Sequence, residues 1–98
     1  MATPVIVMAR TKAKPGAEDT IKQGLIGLAA QSRAEVGCIN YDLHQSFDDP
    51  SLFLVFENWS SKDALDKHME TSYFKEFVSK AADLLTQPPE ITLWKRVG

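Results

Sequence analysis

Leu52 to Phe77 reads LFLVFENWSSKDALDKHMETSYFKEF, and the way this segment must fold constrains everything around it. Its first eight residues, Leu52 to Trp59, are apolar or aromatic at nearly every position and rich in strand formers, so they predict a strand. Ser60 with Asp63 three residues on resembles a capping box and opens a short helix to about Met69. His68 follows Leu65 by three, which puts the imidazole on the buried edge of that helix. Thr71-Ser72 restarts a helix whose apolar side is supplied by Tyr73 or Phe74, Phe77, Val78, Ala81 and Leu85. Pro88-Pro89 stops it, because proline cannot continue the hydrogen-bond ladder. Glu57, Asn58, Trp59 and His68 thus bring an acid, an amide, an indole and an imidazole close together beside an apolar surface, where a small-molecule pocket is expected.

Working outward, Val5 to Lys12 predicts a strand with Val5, Val7 and Ala9 on one face and Ile6, Met8 and Arg10 on the other. Pro15-Gly16 breaks it, and a helix follows from about Ala17 to Glu35. Glu18 and Asp19 suit the positive end of its dipole, and Ile21, Leu25, Leu28 and Ser32 make one stripe. Gly24 and Gly27 each cost that helix about 1 kcal/mol relative to Ala, which implies close packing against a sheet. Gly37 is expected to end it as a left-handed cap. Cys38 to Ser46 forms a second strand, Asp48-Asp49-Pro50 turns the chain, and Leu52 to Trp59 completes a hairpin. Ile91 to Val97 is the last strand. The order is βαββαβ, an α+β arrangement in one domain over residues 1–98 with helices on one face of an antiparallel sheet.

Composition narrows the function. The 98 residues carry 11 basic and 13 acidic side chains and a net charge of −2. Lys and Arg are scattered, so the electrostatic footprint of a nucleic-acid binder is missing. No run approaches the roughly 18 apolar residues of a membrane span, and MATPVIVMARTK lacks the pattern of a secretory signal. A single cysteine, Cys38, provides neither a disulfide framework nor a thiolate metal cluster and suits a reducing cytoplasm.

The third strand raises a problem of faces. Leu52, Leu54 and Phe56 point one way, while Phe53, Val55 and Trp59 point the other, and helices cover only one side. Leaving Phe53, Val55 and Trp59 wet forfeits roughly 1.5–3 kcal/mol for each fully exposed large side chain. Such a patch usually marks an interaction site. The simplest cover is a second copy of the sheet, which predicts a homodimer. On this parity Glu57 faces the dimer interface and Asn58 faces the helices.

The element order, the Glu57-x-Trp59 strand end, the later His68, the run Thr71-Ser72-Tyr73-Phe74 and Gly37-Cys38-x-x-Tyr41 together resemble the antibiotic biosynthesis monooxygenase family, from Val5 to Val97. The resemblance implies ferredoxin-like subunits joined as a dimeric α+β barrel, with a pocket between sheet and helices. It implies oxygenation of a small aromatic, polyphenol or quinol by molecular oxygen with no metal, flavin or haem. A related branch isomerises a small phosphorylated hydroxyketone, the autoinducer-2 processing type. Another branch degrades haem with an Asn on the first strand and a Trp and a His on the second helix. The corresponding positions here are Ala9, His68 and Val78, none of which carries the matching residue.

Under this resemblance His68 is the candidate base for a phenolic proton, imidazole being a side chain suited to general-base work. The alternative is a core histidine bonded to a backbone carbonyl. Asn58 and Tyr73 are the candidates for holding an oxyanion, with Asn58 alternatively capping the turn. Glu57, Trp59, Tyr41 and Phe77 are candidates for binding substrate. Glu57 alternatively forms an ion pair across the interface or with Arg10, Trp59 and Trp94 alternatively serve as core or interface, and Tyr41 and Tyr73 as buried rings with a wet hydroxyl tip. His44 reads as solvated, Cys38 as a small core residue, and no metal-ligand spacing joins His44 to His68. A non-catalytic dimeric domain that binds a small molecule is the reading from a different class.

Overall fold

The computed structural model describes residues 3–98. Its elements run β1 (Val5–Lys12), α1 (Glu18–Arg33), β2 (Cys38–Gln45), β3 (Leu52–Trp59), α2 (Lys62–Met69), α3 (Ser72–Ala81), a 3₁₀ turn (Ala82–Leu84) and β4 (Glu90–Trp94). The strands form one antiparallel sheet in the order β2-β3-β1-β4. This is the ferredoxin-like α+β arrangement, with the second helical segment divided into α2 and α3 as the sequence suggests.

Burial along β3 alternates without a break. Phe53, Val55, Glu57 and Trp59 are buried, and Leu52, Leu54, Phe56 and Asn58 are half-buried. The buried set shares its face with Tyr41 and Leu43 of β2 and with Val5, Val7, Ala9 and Thr11 of β1. That face packs against Ile21, Leu25, Leu28 and Ala29 of α1 and Leu65 of α2. The expected assignment of faces is therefore reversed: Phe53, Val55, Glu57 and Trp59 point to the helices, and Asn58 points away from them. Both sides of β3 are apolar, so its own alternation cannot choose between them. Its neighbours choose, because Arg10, Lys12, Asp42 and His44 pair beside the even-numbered side chains of β3, and charges favour the side that helices leave open.

Four smaller expectations change as well. Gly37 is not a left-handed cap, since Gly16 (φ 90°) is the positive-φ glycine among the described residues. What Gly37 supplies is close approach: a Cβ there would lie 2.2 Å from the Ala64 Cβ on α2. Gly24 meets α3 rather than the sheet, with Phe77 Cε1 3.1 Å from where its Cβ would stand, and a Cβ at Gly27 would meet nothing within 4 Å. The cap of α2 is Ser61, whose Oγ accepts the Ala64 N–H at 3.1 Å, one residue beyond the expected Ser60. Thr71 caps α3 in the same way.

The ends of the last two elements have local causes. α3 stops at Ala81 rather than reaching Leu85 because the following segment pairs with the end of β1. Leu85 bridges Ala13, the Lys14 N–H donates to the Leu84 carbonyl at 2.8 Å, and the Thr86 N–H donates to the Lys12 carbonyl at 3.0 Å. β4 ends at Trp94, opposite Ile6, rather than at Val97. Its partner strand begins at Val5 and is preceded by Pro4, which has no N–H to extend the ladder.

Candidate active site

His68 is carried inward by the last turn of α2 and is 1% exposed. Three aromatic rings pack around it. Trp59 lies at a centroid distance of 4.6 Å and 34°, Phe74 at 5.0 Å edge-on, and Tyr41 at 5.6 Å. Nδ1 lies 2.8 Å from Oε2 of Glu35, and the Tyr73 hydroxyl donates to that same oxygen. A carboxylate has no proton to give, so Nδ1 supplies the hydrogen. The imidazole is thereby fixed with the lone pair of its neutral form on Nε2. Nε2 is buried and has no hydrogen-bond partner among the described residues.

His68 lines a cavity of about 50 Å³ between the sheet and the helices. Apolar groups from α1, α2, α3 and the sheet make most of its wall, and Thr11, Tyr41 and Glu57 add polar atoms. Glu57 points to the helices while Arg10 lies beside Leu54 on the other face of the sheet, so the two form no ion pair. Its Oε1 accepts the Trp59 Nε1–H at 2.8 Å, a bond between same-face neighbours two positions apart on β3. Burial pushes the Glu57 carboxyl up to about 7, reinforced by the nearby Glu35 and opposed by the Trp59 hydrogen bond. Burial, then the charge of Glu57, keeps the Tyr41 phenol protonated well above the usual tyrosine range. Burial and the bond to Glu35 push Tyr73 up to about 12. The Cys38 thiol is raised too, first by burial and then by Glu35 and Glu57, against a smaller opposing effect of Arg33, the opposite of what activates a thiol as a nucleophile.

The structure brings His68, Glu57, Tyr41 and Phe77 to one cavity, with Trp59 stacked behind the imidazole. Tyr73 stands one hydrogen bond further out, engaged with Glu35. Asn58 is on the opposite face of the sheet, beside Ile6, Ile39 and Arg96. His44 is exposed, as expected. Among the described residues no three His, Cys, Asp or Glu side chains gather where they could hold a metal ion, and no helix is long and apolar enough to cross a membrane.

Sequence reasoning missed Glu35, which lies 33 residues from His68. One signal was present. Glu35 follows the last turn of α1, where the helix dipole is negative and basic side chains are favoured. An acid at that place needs compensation from elsewhere, and His68 and Tyr73 provide it.

Comparison with known proteins agrees with this architecture. The family described as "Antibiotic biosynthesis monooxygenase" matches residues 4–80. Among curated relatives, the uncharacterized protein sll1783 of Synechocystis is 38% identical over 92 residues, which is 94% of this chain. This chain spans 63% of the length of that relative. The Mycobacterium tuberculosis protein named "Putative monooxygenase Rv0793" is 36% identical over 95% of this chain and 91% of its own. Among solved structures, PA3566 from Pseudomonas aeruginosa superposes with a TM-score of 0.93 at 37% identity, covering 100% of this chain and 98% of that one.

Proposed function

The chain belongs to the antibiotic biosynthesis monooxygenase family, and from that premise we propose that it is a cofactor-independent monooxygenase acting on a small phenol, polyphenol or quinol. The observation that carries the reading is the unpartnered, buried Nε2 of His68, a residue that lines a largely apolar cavity, with its other ring nitrogen anchored by Glu35. A phenolic O–H brought to Nε2 gives up its proton there. The phenolate then transfers an electron to molecular oxygen, and the two radicals combine at a ring carbon that bears hydrogen. Loss of water from the resulting hydroperoxide leaves a quinone. One oxygen atom ends in the ring and the other in water, and the ring supplies all four electrons. The scheme asks no redox group of the protein.

Tyr41 and the protonated Glu57 are the donors available to the substrate oxygens. Tyr73 acts through Glu35, and Trp59 holds the plane of the imidazole. Phe77 and its neighbours keep water out, which strengthens each of these interactions. Asn58, on the other face, has no part in this cavity. The chain works as a homodimer through the open face of the sheet, a partnership that gives Ile6, Met8, Leu54 and Phe56 apolar cover.

The test is oxygen uptake with a panel of one- and two-ring quinols. His68→Ala is expected to lower turnover at least tenfold while leaving the thermal melt in place. An unchanged rate removes the proposed base. A second reading draws on one specific feature: a carboxyl that burial raises to about 7 and an imidazole line the same cavity, the acid–base pairing that interconverts a hydroxyketone and its isomer through an enediol. Turnover of hydroxyketones without oxygen uptake selects that reading.

A further inference from the structure

The cavity beside His68 holds about 50 Å³, roughly a third of the ~150 Å³ that accepts benzene in an engineered protein interior. An aromatic ligand reaches Nε2 only if a wall moves. Phe77, Val78 and Pro89 are the wall to consider, because they line both this cavity and a larger cleft of about 370 Å³ beyond the end of α3. The rest of that cleft is mainly apolar, with Ala81, Ala82, Leu85 and Pro88 in its lining.

The segment ahead of Pro89 is pinned at Leu84–Thr86 by its backbone bonds to Lys12 and Lys14. Val78 is short and restricted at χ1. Phe77 is different. It also borders a third space, a groove of about 350 Å³ between α1 and α3 that Gly24 and Gly27 line. The ring already approaches Gly24 more closely than a Cβ there would comfortably allow, and the place of a Gly27 Cβ is open. Two χ1 wells are available to a phenylalanine on a helix, so a change of rotamer is the simplest way to move this ring without unwinding α3.

We infer that Phe77 controls access to His68: its ring swings into the groove left by Gly24 and Gly27, which joins the inner cavity to the outer cleft. The joined space takes a phenolic ligand with its hydroxyl at His68 and its apolar body against Ala81, Leu85 and Pro88. The inference rests on the proposed role of the His68 cavity as the site of the phenol, but it concerns entry and not oxidation. It also gives Gly24 and Gly27 a purpose beyond packing.

The experiment reads binding alone. Fluorine NMR titrations with 4′-fluorobiphenyl-4-ol, which spans both compartments, and with 4-fluorophenol yield affinities and association rates. Gly27→Leu, which reaches into the groove from a position where an added Cβ meets nothing within 4 Å, is expected to slow association of the biphenyl probe at least tenfold. Phe77→Ala is expected to speed it at least tenfold. Circular dichroism melts check that both variants fold. Association rates unchanged in both variants overturn the inference, as does absence of probe binding to every variant including the parent. Rates that shift as expected with no oxygen uptake from any quinol sustain the gate and remove the oxygenase reading instead.

Discussion

Glu57 is a carboxyl group in an apolar box, with the Trp59 indole N–H as its one close donor. Its value in the folded chain is raised from 4.5 to about 7, so the native state binds this proton more tightly than the unfolded state does. The contribution to stability is fully present below about pH 4.5 and is lost as pH rises through about 7. Replacing it with Gln keeps an acceptor for Trp59 and removes the titration. Urea unfolding at pH 4.5, 6 and 8 is therefore expected to show the parent weakening across this window by up to about 3 kcal/mol relative to Glu57→Gln. Asp49, lowered to about 2 by hydrogen bonds from Ser51 and then by Lys12, titrates below the window and leaves the comparison clean. A parent that does not weaken relative to Glu57→Gln between pH 4.5 and 8 contradicts the assignment. The same ionisation removes a hydrogen-bond donor from the cavity. That His68 faces inward was readable from its spacing after Leu65. That a carboxylate holds it was not, because Glu35 arrives from the far end of α1 through tertiary packing.

At the scale of elements, α2 owes its position to a missing side chain. Its Ala64 lies so close to Gly37 that a methyl group there would sit 2.2 Å from the Ala64 Cβ. Gly37→Ala has to push α2 outward, and overpacking of this kind typically costs about 1–3 kcal/mol. Because α2 carries His68, the imidazole is displaced with it. Gly27→Ala, where the new methyl meets nothing, is expected to stabilise the chain by up to about 1 kcal/mol through helix propensity. Chemical denaturation of the two variants should move in opposite directions, and like signs would count against this account of the helix contacts. The elements themselves were largely legible: the stripe Ile21, Leu25, Leu28 and Ser32 marked α1, and Thr71 marked the restart at α3. The face of β3 was not legible from β3, since aromatic and aliphatic groups occupy both sides. It could be read only from the charges on β1 and β2, and that required the pairing register.

At the scale of the whole molecule, the sheet is half clothed. One face meets the helices, and the other presents Ile6, Met8, Leu52, Leu54 and Phe56 half-buried, with Ile39 and Trp94 more than half exposed. A single charge in the middle of that face tests the proposed self-association. Phe56→Glu is expected to shift the sedimentation coefficient from a pair of chains to one, with the helix-side core intact in circular dichroism. A parent chain that sediments alone at micromolar concentration contradicts the pairing.

The strand order carries a consequence for how the chain comes apart. β1 and β3 lie inside the sheet, and β2 and β4 are its edges. Amide protons of β1 and β3 should be the last to trade with deuterium, while those of the five-residue β4 should trade early. Opening would then begin at Ile91 and Pro89, on the rim of the cavity, and the floor formed by Val7, Val55 and Glu57 would persist longest. In this chain the rim along β4 is the loosest masonry and the hearth is the firmest.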